Sequence, residues 1–137
     1  MGSGTLILLD THTWIWWLAE PQKLSKRASE AIQKAERESQ VGIAAISCWE
    51  VSMLVARGRI GFAMDVETWI EKALSLPSVR FLDLTPKIAV LSTRLPDGKT
   101  PANPADRILI ATAQIHACPL VTKDLEIQNY PHVASLW

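Results

Sequence analysis

The hydrophobic residues of the chain follow two kinds of pattern, which occur in turn along the sequence. Short apolar runs, several with β-branched members, predict buried strands at residues 5–10, 40–46, 79–84, 119–122 and 133–137. Between them, apolar residues recur at three- and four-residue spacing, as they do on one face of a helix. Because strands that alternate with helices favour a parallel sheet covered on both faces, we predict an α/β/α sandwich.

Capping residues mark where the predicted helices begin. Ser25 begins a helix over residues 25–39, and Ser47 begins a helix that ends at Gly58. Further helices are predicted at residues 11–18, at 66–76 after Asp65, at 87–95 after Thr85 and Pro86, and at 105–117. Ligands bind such sheets at the carboxyl ends of strands where the strand order reverses, so functional residues are expected there.

The composition is that of one small globular domain with balanced charge. The chain has 137 residues, of which 48% are hydrophobic, and this length allows burial of roughly two-thirds of the unfolded surface. Lys and Arg together number 14, as do Asp and Glu. The net charge therefore gives no sign of a nucleic-acid binder, and a polyanion would need a local basic rim.

Cysteine usage and hydropathy indicate a cytoplasmic protein. Cys48 and Cys118 lack CxxC spacing and lie among apolar residues, which favours reduced thiols, although a single disulfide stays open. The longest apolar runs are far shorter than the roughly 20 residues that span a bilayer, so we expect neither a membrane segment nor an export signal. Residues 1–4, MGSG, are predicted to be a tag remnant or a disordered start.

Four acidic residues at the edges of different apolar segments are the main candidates for chemistry: Asp10, Glu50, Asp106 and Asp124. If the fold gathers them, two carboxylates roughly 5 Å apart repel by about 3 kcal/mol at an effective dielectric of about 20, so the cluster must protonate or bind a cation. Mg²⁺ and Mn²⁺ prefer such oxygen ligands, whereas zinc would require Cys or His at motif spacing. The pattern predicts a magnesium site that also accepts Mn²⁺.

Each of these acids also has a purely structural interpretation. Glu50 completes a capping box with Ser47, and Asp124 fits the N-cap of a short helical turn. Asp10 fits a turn after a strand, and Asp106 fits the first turn of a helix, where it would interact with the helix dipole. Considered one at a time, the residues leave these alternatives open.

Five segments carry a resemblance to a known family: LLDTHTWIWWL, SCWEVSML, NPADRILIATA, LVTKD and QNYPHVASLW. Together they resemble the PIN-domain ribonucleases of the VapC type, which are toxins of type II toxin–antitoxin systems. The resemblance implies a Rossmann-like α/β/α sandwich with a central parallel sheet, and a single PIN domain over residues 5–137. It also implies metal-dependent cleavage of RNA, a homodimer, and inhibition by a cognate antitoxin.

The resemblance assigns roles to individual residues. The four acids named above match, in chain order, the family's catalytic and metal-binding positions. Thr11 and Thr122 match the hydroxyl positions beside the first and last acids, and we expect them to orient carboxylates through hydrogen bonds. Asn103 stands where many relatives carry an acid, a departure that leaves the four main carboxylates intact.

Basic and aromatic residues near the motifs have less specific interpretations. Lys99, Arg107 and Lys123 are candidates to contact phosphate, although an ion pair with a neighbouring acid is the commoner role. Trp16 is expected on a dimer or antitoxin surface. Core packing is predicted for Trp14, Trp17, Trp49 and Trp69. A structural role is predicted for the histidines, which lack metal-ligand spacing: His12, His116 and His132.

These observations predict a Mg²⁺-dependent endoribonuclease that is the toxin of a toxin–antitoxin pair, with RNA as its substrate. One alternative is a PIN protein that binds an antitoxin or RNA without catalysis. Another is a phosphoacceptor signalling domain, which also has acids at the strand ends of a doubly wound sheet. That class needs an acidic pair after the first strand, where this chain has Asp10 followed by Thr11 and His12.

Overall fold

One parallel sheet forms the centre of the molecule. The computed structural model describes residues 4–96 and 100–137, and within these ranges the sheet has five strands. They are β1 (Ile7–Leu9), β2 (Val41–Ala44), β3 (Val79–Leu82), β4 (Leu120–Val121) and β5 (Ser135–Leu136). The strand order is β3-β2-β1-β4-β5, and every neighbouring pair is parallel. All five predicted strands are confirmed, and each is shorter than its apolar run.

Seven α-helices connect the strands in the same described ranges. They are α1 (Thr11–Ala19), α2 (Lys26–Arg37), α3 (Ala45–Ala56), α4 (Val66–Leu74), α5 (Pro86–Ser92), α6 (Pro104–Ile115) and α7 (Leu125–Gln128). A 3₁₀ turn, Pro21–Lys23, follows α1. The six predicted helices are confirmed, and α7 begins directly after Asp124, as the capping pattern of that residue indicated.

Three of the predicted N-caps are confirmed by their hydrogen bonds. The Oγ atom of Ser25 accepts a hydrogen bond from the backbone N–H of Ala28 at 3.0 Å. Asp65 and Thr85 cap α4 and α5 in the same way. These caps satisfy amide groups that a helix start leaves without a partner, and they fix where each helix begins.

The predicted capping role of Ser47 is wrong. Helix α3 begins at Ala45, because β2 passes into the helix at Ala44 without an intervening loop. Ser47 therefore lies inside the first helical turn, where it is fully buried. A capping box needs the serine at the cap position, outside the helix, so the predicted box between Ser47 and Glu50 is also wrong.

The sheet separates two hydrophobic cores. Adjacent residues in a strand point to opposite faces, so Leu9 belongs to one core and Leu8 to the other. The first core includes residues of the first four helices, among them Trp14, Ile32, Val51 and Ala73. The second includes residues of α5, α6 and α7, among them Leu91, Leu109 and Ile127. Helices thus cover both faces, which confirms the predicted α/β/α sandwich.

The tryptophans follow the core prediction with one exception. Trp14 is fully buried, with its ring centroid 5.0 Å from that of Trp69. Trp17 packs against the same core. Trp49 is 55% exposed, so its predicted core position is wrong. Because two residues correspond to about 200° around a helix, Trp49 lies on the side of α3 opposite the buried Val51.

The structure also bears on the thiols and on membrane insertion. Cys48 and Cys118 are free, which excludes the disulfide that the sequence left open. Burial raises the pKa of the Cys118 thiol to about 11, so this group stays protonated at neutral pH.

Over the described residues, none of the helices has the length and apolar character needed to cross a bilayer.

Ser25→Ala is expected to lower the free energy of unfolding by about 1 kcal/mol, because it removes the cap of α2. Ser29→Ala, a matched change inside the same helix, should be neutral or slightly stabilising, since alanine is the better helix former. Urea unfolding followed by circular dichroism measures both values. Equal destabilisation by the two substitutions would contradict the capping role.

Candidate active site

The strand order reverses between β1 and β4, and a cleft of about 560 Å³ opens at the carboxyl ends of these strands. Its lining consists of Asp10, Thr11, His12, Trp16, Glu50, Asn103, Asp106, Leu109, Lys123 and Asp124. The fold therefore brings all four acids singled out by the sequence to one cleft. They reach it from four places: the end of β1, the middle of α3, the first turn of α6 and the start of α7.

Asp10 is held by two hydrogen bonds, one to each carboxylate oxygen. Oδ1 accepts from the backbone N–H of Thr13 at 2.8 Å, which makes Asp10 the N-cap of α1. Oδ2 accepts from the hydroxyl of Thr122 at 2.5 Å. Asp10 is therefore a helix cap rather than the turn residue of the structural interpretation, and it also lines the cleft. Its carboxylate has a fixed orientation with lone pairs left for another ligand.

Glu50 is oriented by Thr11. Oγ1 of Thr11 lies 2.5 Å from Oε1 of Glu50 and 3.0 Å from Oγ of Ser47. Because a hydroxyl has one proton, we assign Thr11 as the donor to Glu50 and the acceptor from Ser47. Burial raises the pKa of Glu50, the hydrogen bond from Thr11 lowers it, the charge of Asp10 raises it and that of His12 lowers it; the net shift is upward.

Thr122 joins the two strand ends that flank the cleft. Its hydroxyl donates to Asp10 and accepts from the backbone N–H of Asp124 at 3.0 Å. The two threonines thus orient carboxylates as predicted, with each one reaching an acid from another segment. Thr11 orients Glu50, and Thr122 orients Asp10.

Asp106 carries the most strongly shifted carboxyl group of the cleft. Burial is the largest cause, followed by the charges of Asp124, Glu50, Asp10 and Glu126 in that order, and together they raise its pKa from 3.8 to about 7. At neutral pH the group is therefore close to half protonated. Keeping this proton removes the charge of Asp106 itself and so lessens the repulsion with its neighbours. A cation bound in the cleft would lessen the same repulsion and favour the ionised carboxylate.

Glu126 is a fifth acid that the sequence interpretation missed. One oxygen each of Asp106, Asp124 and Glu126 lie within 4.8 Å of one another, and this is the one such group of three among the described residues. Asp10 and Glu50 line the same cleft outside this trio. The pattern of two acids at positions 124 and 126, within five residues of the end of a strand, is the signal that would have identified Glu126.

A family model described as the PIN domain matches residues 7–133. The chain belongs to the PIN-domain family. It is also 40% identical over 128 residues to Ribonuclease VapC22 of Mycobacterium tuberculosis (strain ATCC 25618 / H37Rv), covering 93% of this chain and 94% of that protein. This identity over nearly the whole length confirms the resemblance to the VapC type.

Solved structures share the fold, and one of them is a toxin–antitoxin complex from Klebsiella pneumoniae, with a TM-score of 0.66 at 22% identity and coverage of 96% of both chains. VapBC2 from Rickettsia felis, bound to a DNA fragment from its promoter, has a TM-score of 0.70 at 13% identity, covering 96% of this chain and 98% of that chain. FitAcB from Neisseria gonorrhoeae has a TM-score of 0.69 at 21% identity, with coverage of 96% and 97%. At these identities the likeness supports the PIN-domain fold.

The basic residues that were candidates to contact phosphate have different positions in this PIN domain. Nε and Nη1 of Arg107 donate to the backbone carbonyls of Ser92 and Pro101 at 2.9 and 3.3 Å. Arg107 therefore tethers the segment before α6, and no acid of the described residues lies within ion-pair distance of it. Its contact with phosphate stays a prediction. Lys123 lines the cleft, and Lys99 lies outside the described residues.

Two other polar residues, Asn103 and His12, also line the PIN cleft. Asn103 stands at the cleft edge and caps α6, since its Oδ1 accepts from the backbone N–H of Ala105 at 2.8 Å. An aspartate could accept the same hydrogen bond, so the departure at this position removes a negative charge and keeps the cap. His12 was interpreted as structural, but it is exposed and lines the cleft.

Asp106→Asn is expected to stabilise the metal-free protein at pH 8 by about 1–2 kcal/mol, allowing for solvent screening of a half-buried group. Because the folded-state pKa is about 7 and the ordinary value is 3.8, the folded protein keeps a proton that the unfolded chain releases in this interval. The free energy of unfolding therefore falls as the pH rises from about 4 to 7, and the asparagine variant escapes this loss.

Urea unfolding in chelator at pH 4, 6 and 8 measures this effect. The advantage of Asp106→Asn should be largest at pH 8 and shrink towards pH 4. Asp83→Asn is the matched control, because Asp83 is exposed and lies outside the cleft. Parallel pH profiles for the parent and Asp106→Asn would contradict the shifted pKa.

Proposed function

We propose that this PIN domain is a metal-dependent endoribonuclease and the toxin of a toxin–antitoxin pair. The observation that carries the proposal is the convergence of Asp10, Glu50, Asp106 and Asp124 on one cleft at the reversal point of the sheet. The likeness to Ribonuclease VapC22 supports RNA as the substrate. The catalytic and metal-binding roles go to these four acids.

The donor set fits Mg²⁺, with Mn²⁺ as a substitute. All four acids offer carboxylate oxygens. Burial and the charges of the neighbouring acids raise the pKa of Asp106, which is the behaviour of a site short of positive charge. Hard divalent cations prefer such ligands. When bound, the ion lowers the pKa of a coordinated water and neutralises negative charge at the scissile phosphate.

The chain's own residues prepare this site before any cation binds. Thr13 and Thr122 fix the carboxylate of Asp10, and Thr11 fixes that of Glu50. Asp106 must lose its proton to act as an anionic ligand. Cation binding is therefore linked to proton release, and the affinity for Mg²⁺ should rise between pH 6 and pH 8.

A cognate antitoxin and a homodimer belong to the same proposal. Support for the antitoxin comes from a structural neighbour that is a toxin–antitoxin complex. Exposed apolar side chains, including Trp49 and Leu84, offer surface for protein contacts. We assign the protein to the cytoplasm, where its two free cysteines would stay reduced.

Asp10→Asn is expected to lower the rate of RNA cleavage by at least about 100-fold, because loss of a ligand exceeds the 10- to 100-fold effect of removing a residue that only orients one. The variant should still fold, since asparagine also caps α1. A labelled RNA incubated with partner-free protein and Mg²⁺, Mn²⁺ or chelator gives the rates, with Asp83→Asn as control. Cleavage at the parental rate by Asp10→Asn, or in chelator, would sink the assignment.

Glu126→Gln is expected to raise the Mg²⁺ concentration at half-maximal activity several-fold, with the rate at saturating Mg²⁺ close to that of the parent. Glu126 is exposed and adds charge beside Asp106 and Asp124. Glu30→Gln on the exposed face of α2 is the matched control. If both variants titrate with Mg²⁺ like the parent, Glu126 lies outside the metal site.

A further inference from the structure

The acidic cleft is also lined by aromatic and basic side chains. His12 and Trp16 of α1 and Lys123, after β4, line the same cavity as the four acids. We propose that Trp16 is the surface on which a base of the RNA substrate stacks, and that Lys123 binds an adjoining phosphate. This inference rests on the proposed ribonuclease function and adds the residues that hold the substrate beside the acids.

Trp16 belongs to neither hydrophobic core, although its neighbours along α1 do. Trp14 is fully buried and Trp17 packs against the first core, whereas Trp16 is half-buried in the cleft wall. His12, one helical turn earlier, is exposed, with its ring centroid 5.8 Å from that of Trp16. Helix α1 thus directs two tryptophans to the interior and one to the cleft.

The indole of Trp16 is held in place before any ligand binds. The ring of Trp137 packs against it with a centroid distance of 5.9 Å and an angle of 61° between the ring planes. An edge contact of this kind restricts rotation of the side chain. An aromatic surface that is already fixed loses little freedom when a base stacks on it, which favours binding.

Two lysines lie over the ring of Trp16, and only one of them is paired with an acid of the described residues. Nζ of Lys23 is 6.0 Å and Nζ of Lys123 is 5.9 Å from the ring centroid, near the limit of a cation–π contact. Lys23 is paired with Glu20 at 2.9 Å. For Lys123 no carboxylate of the described chain lies within ion-pair distance. The ammonium group of Lys123 is therefore available to a phosphate at the cleft.

Base stacking would also help this site to bind RNA despite its negative charge. A cleft rich in carboxylates repels a phosphate backbone, and Lys123 is the one permanent cation among the described residues that line it. Stacking of a base adds an attraction that this repulsion does not weaken, because the base is uncharged. The base must be unpaired, since bases within a duplex already stack on each other. The expected ligand is therefore a single-stranded or looped segment of RNA.

Three variants test the role of Trp16 in steady-state cleavage of a single-stranded RNA. Trp16→Leu should lower kcat/KM about 5- to 100-fold, mainly through KM, which is the range for losing one base stack. Trp16→Phe should retain most of the activity. Phe81→Leu is the control, because Phe81 is exposed on the edge strand β3, away from the cleft. The Mg²⁺ concentration at half-maximal activity should be unchanged in all three.

A series of RNAs with one abasic site at successive positions identifies the stacked base. At one position the missing base should cost the parent about as much as Trp16→Leu does, and it should cost Trp16→Leu nothing further. Additive losses at every position would overturn the proposal. So would a parental kcat/KM for Trp16→Leu, or equal losses in Trp16→Leu and Trp16→Phe.

A binding measurement separates this proposal from the proposed function. Fluorescence anisotropy with a 5′-labelled single-stranded RNA compares Asp106→Asn with the double variant Asp106→Asn, Trp16→Leu. Weaker binding by the double variant supports the stacking role even if the parent cuts no RNA, an outcome that would refute only the nuclease. Equal affinities would overturn the stacking role even if the parent is an active nuclease.

Discussion

Repulsion among carboxylates gathered at the reversal point of the sheet is the constraint on which the site depends. The fold brings Asp10, Glu50, Asp106 and Asp124 into one partly buried cleft. Burial and neighbouring charges there raise the pKa of Glu50 and of Asp106. The raised pKa of Asp106 shows where this strain is concentrated. A site of this kind lowers the stability of the free protein and is relieved by a cation. Its instability and its proposed chemistry therefore have the same physical origin.

The scaffold offsets part of that repulsion with oriented dipoles. Helices α1, α6 and α7 begin at the cleft, and the partial positive charge of a helix start favours nearby acids. Two threonine hydroxyls, from Thr11 and Thr122, donate to carboxylates contributed by distant segments. These contacts hold the acids in fixed orientations. Trp16 and Lys123 line the same cleft as the acids, and in the proposed function they are the residues that attract a polyanionic substrate.

Local patterns predicted the elements of the fold where local physics sets them. Ser25, Asp65 and Thr85 cap helices because their side chains reach amides a few residues away. Ser47 has the same local signature, yet β2 enters α3 without a loop and places it inside the helix. Trp49 was assigned to the core because it lies in an amphipathic helical pattern, but its position around the helix turns it outward. Both errors concern how α3 is placed relative to the sheet, that is, where the helix begins and which side faces the core. A local sequence pattern does not contain this information.

The sequence by itself determined the alternation of strands and helices, most of the caps, and the four acids as candidates, because these depend on residue type and short spacing. Only the tertiary structure decided that Glu126 joins Asp106 and Asp124, and that Arg107 is engaged by backbone carbonyls. It also decided that Trp16 faces the cleft while its neighbours fill the core. The physical reason is that these facts are distances between segments far apart in the chain, and packing alone fixes them.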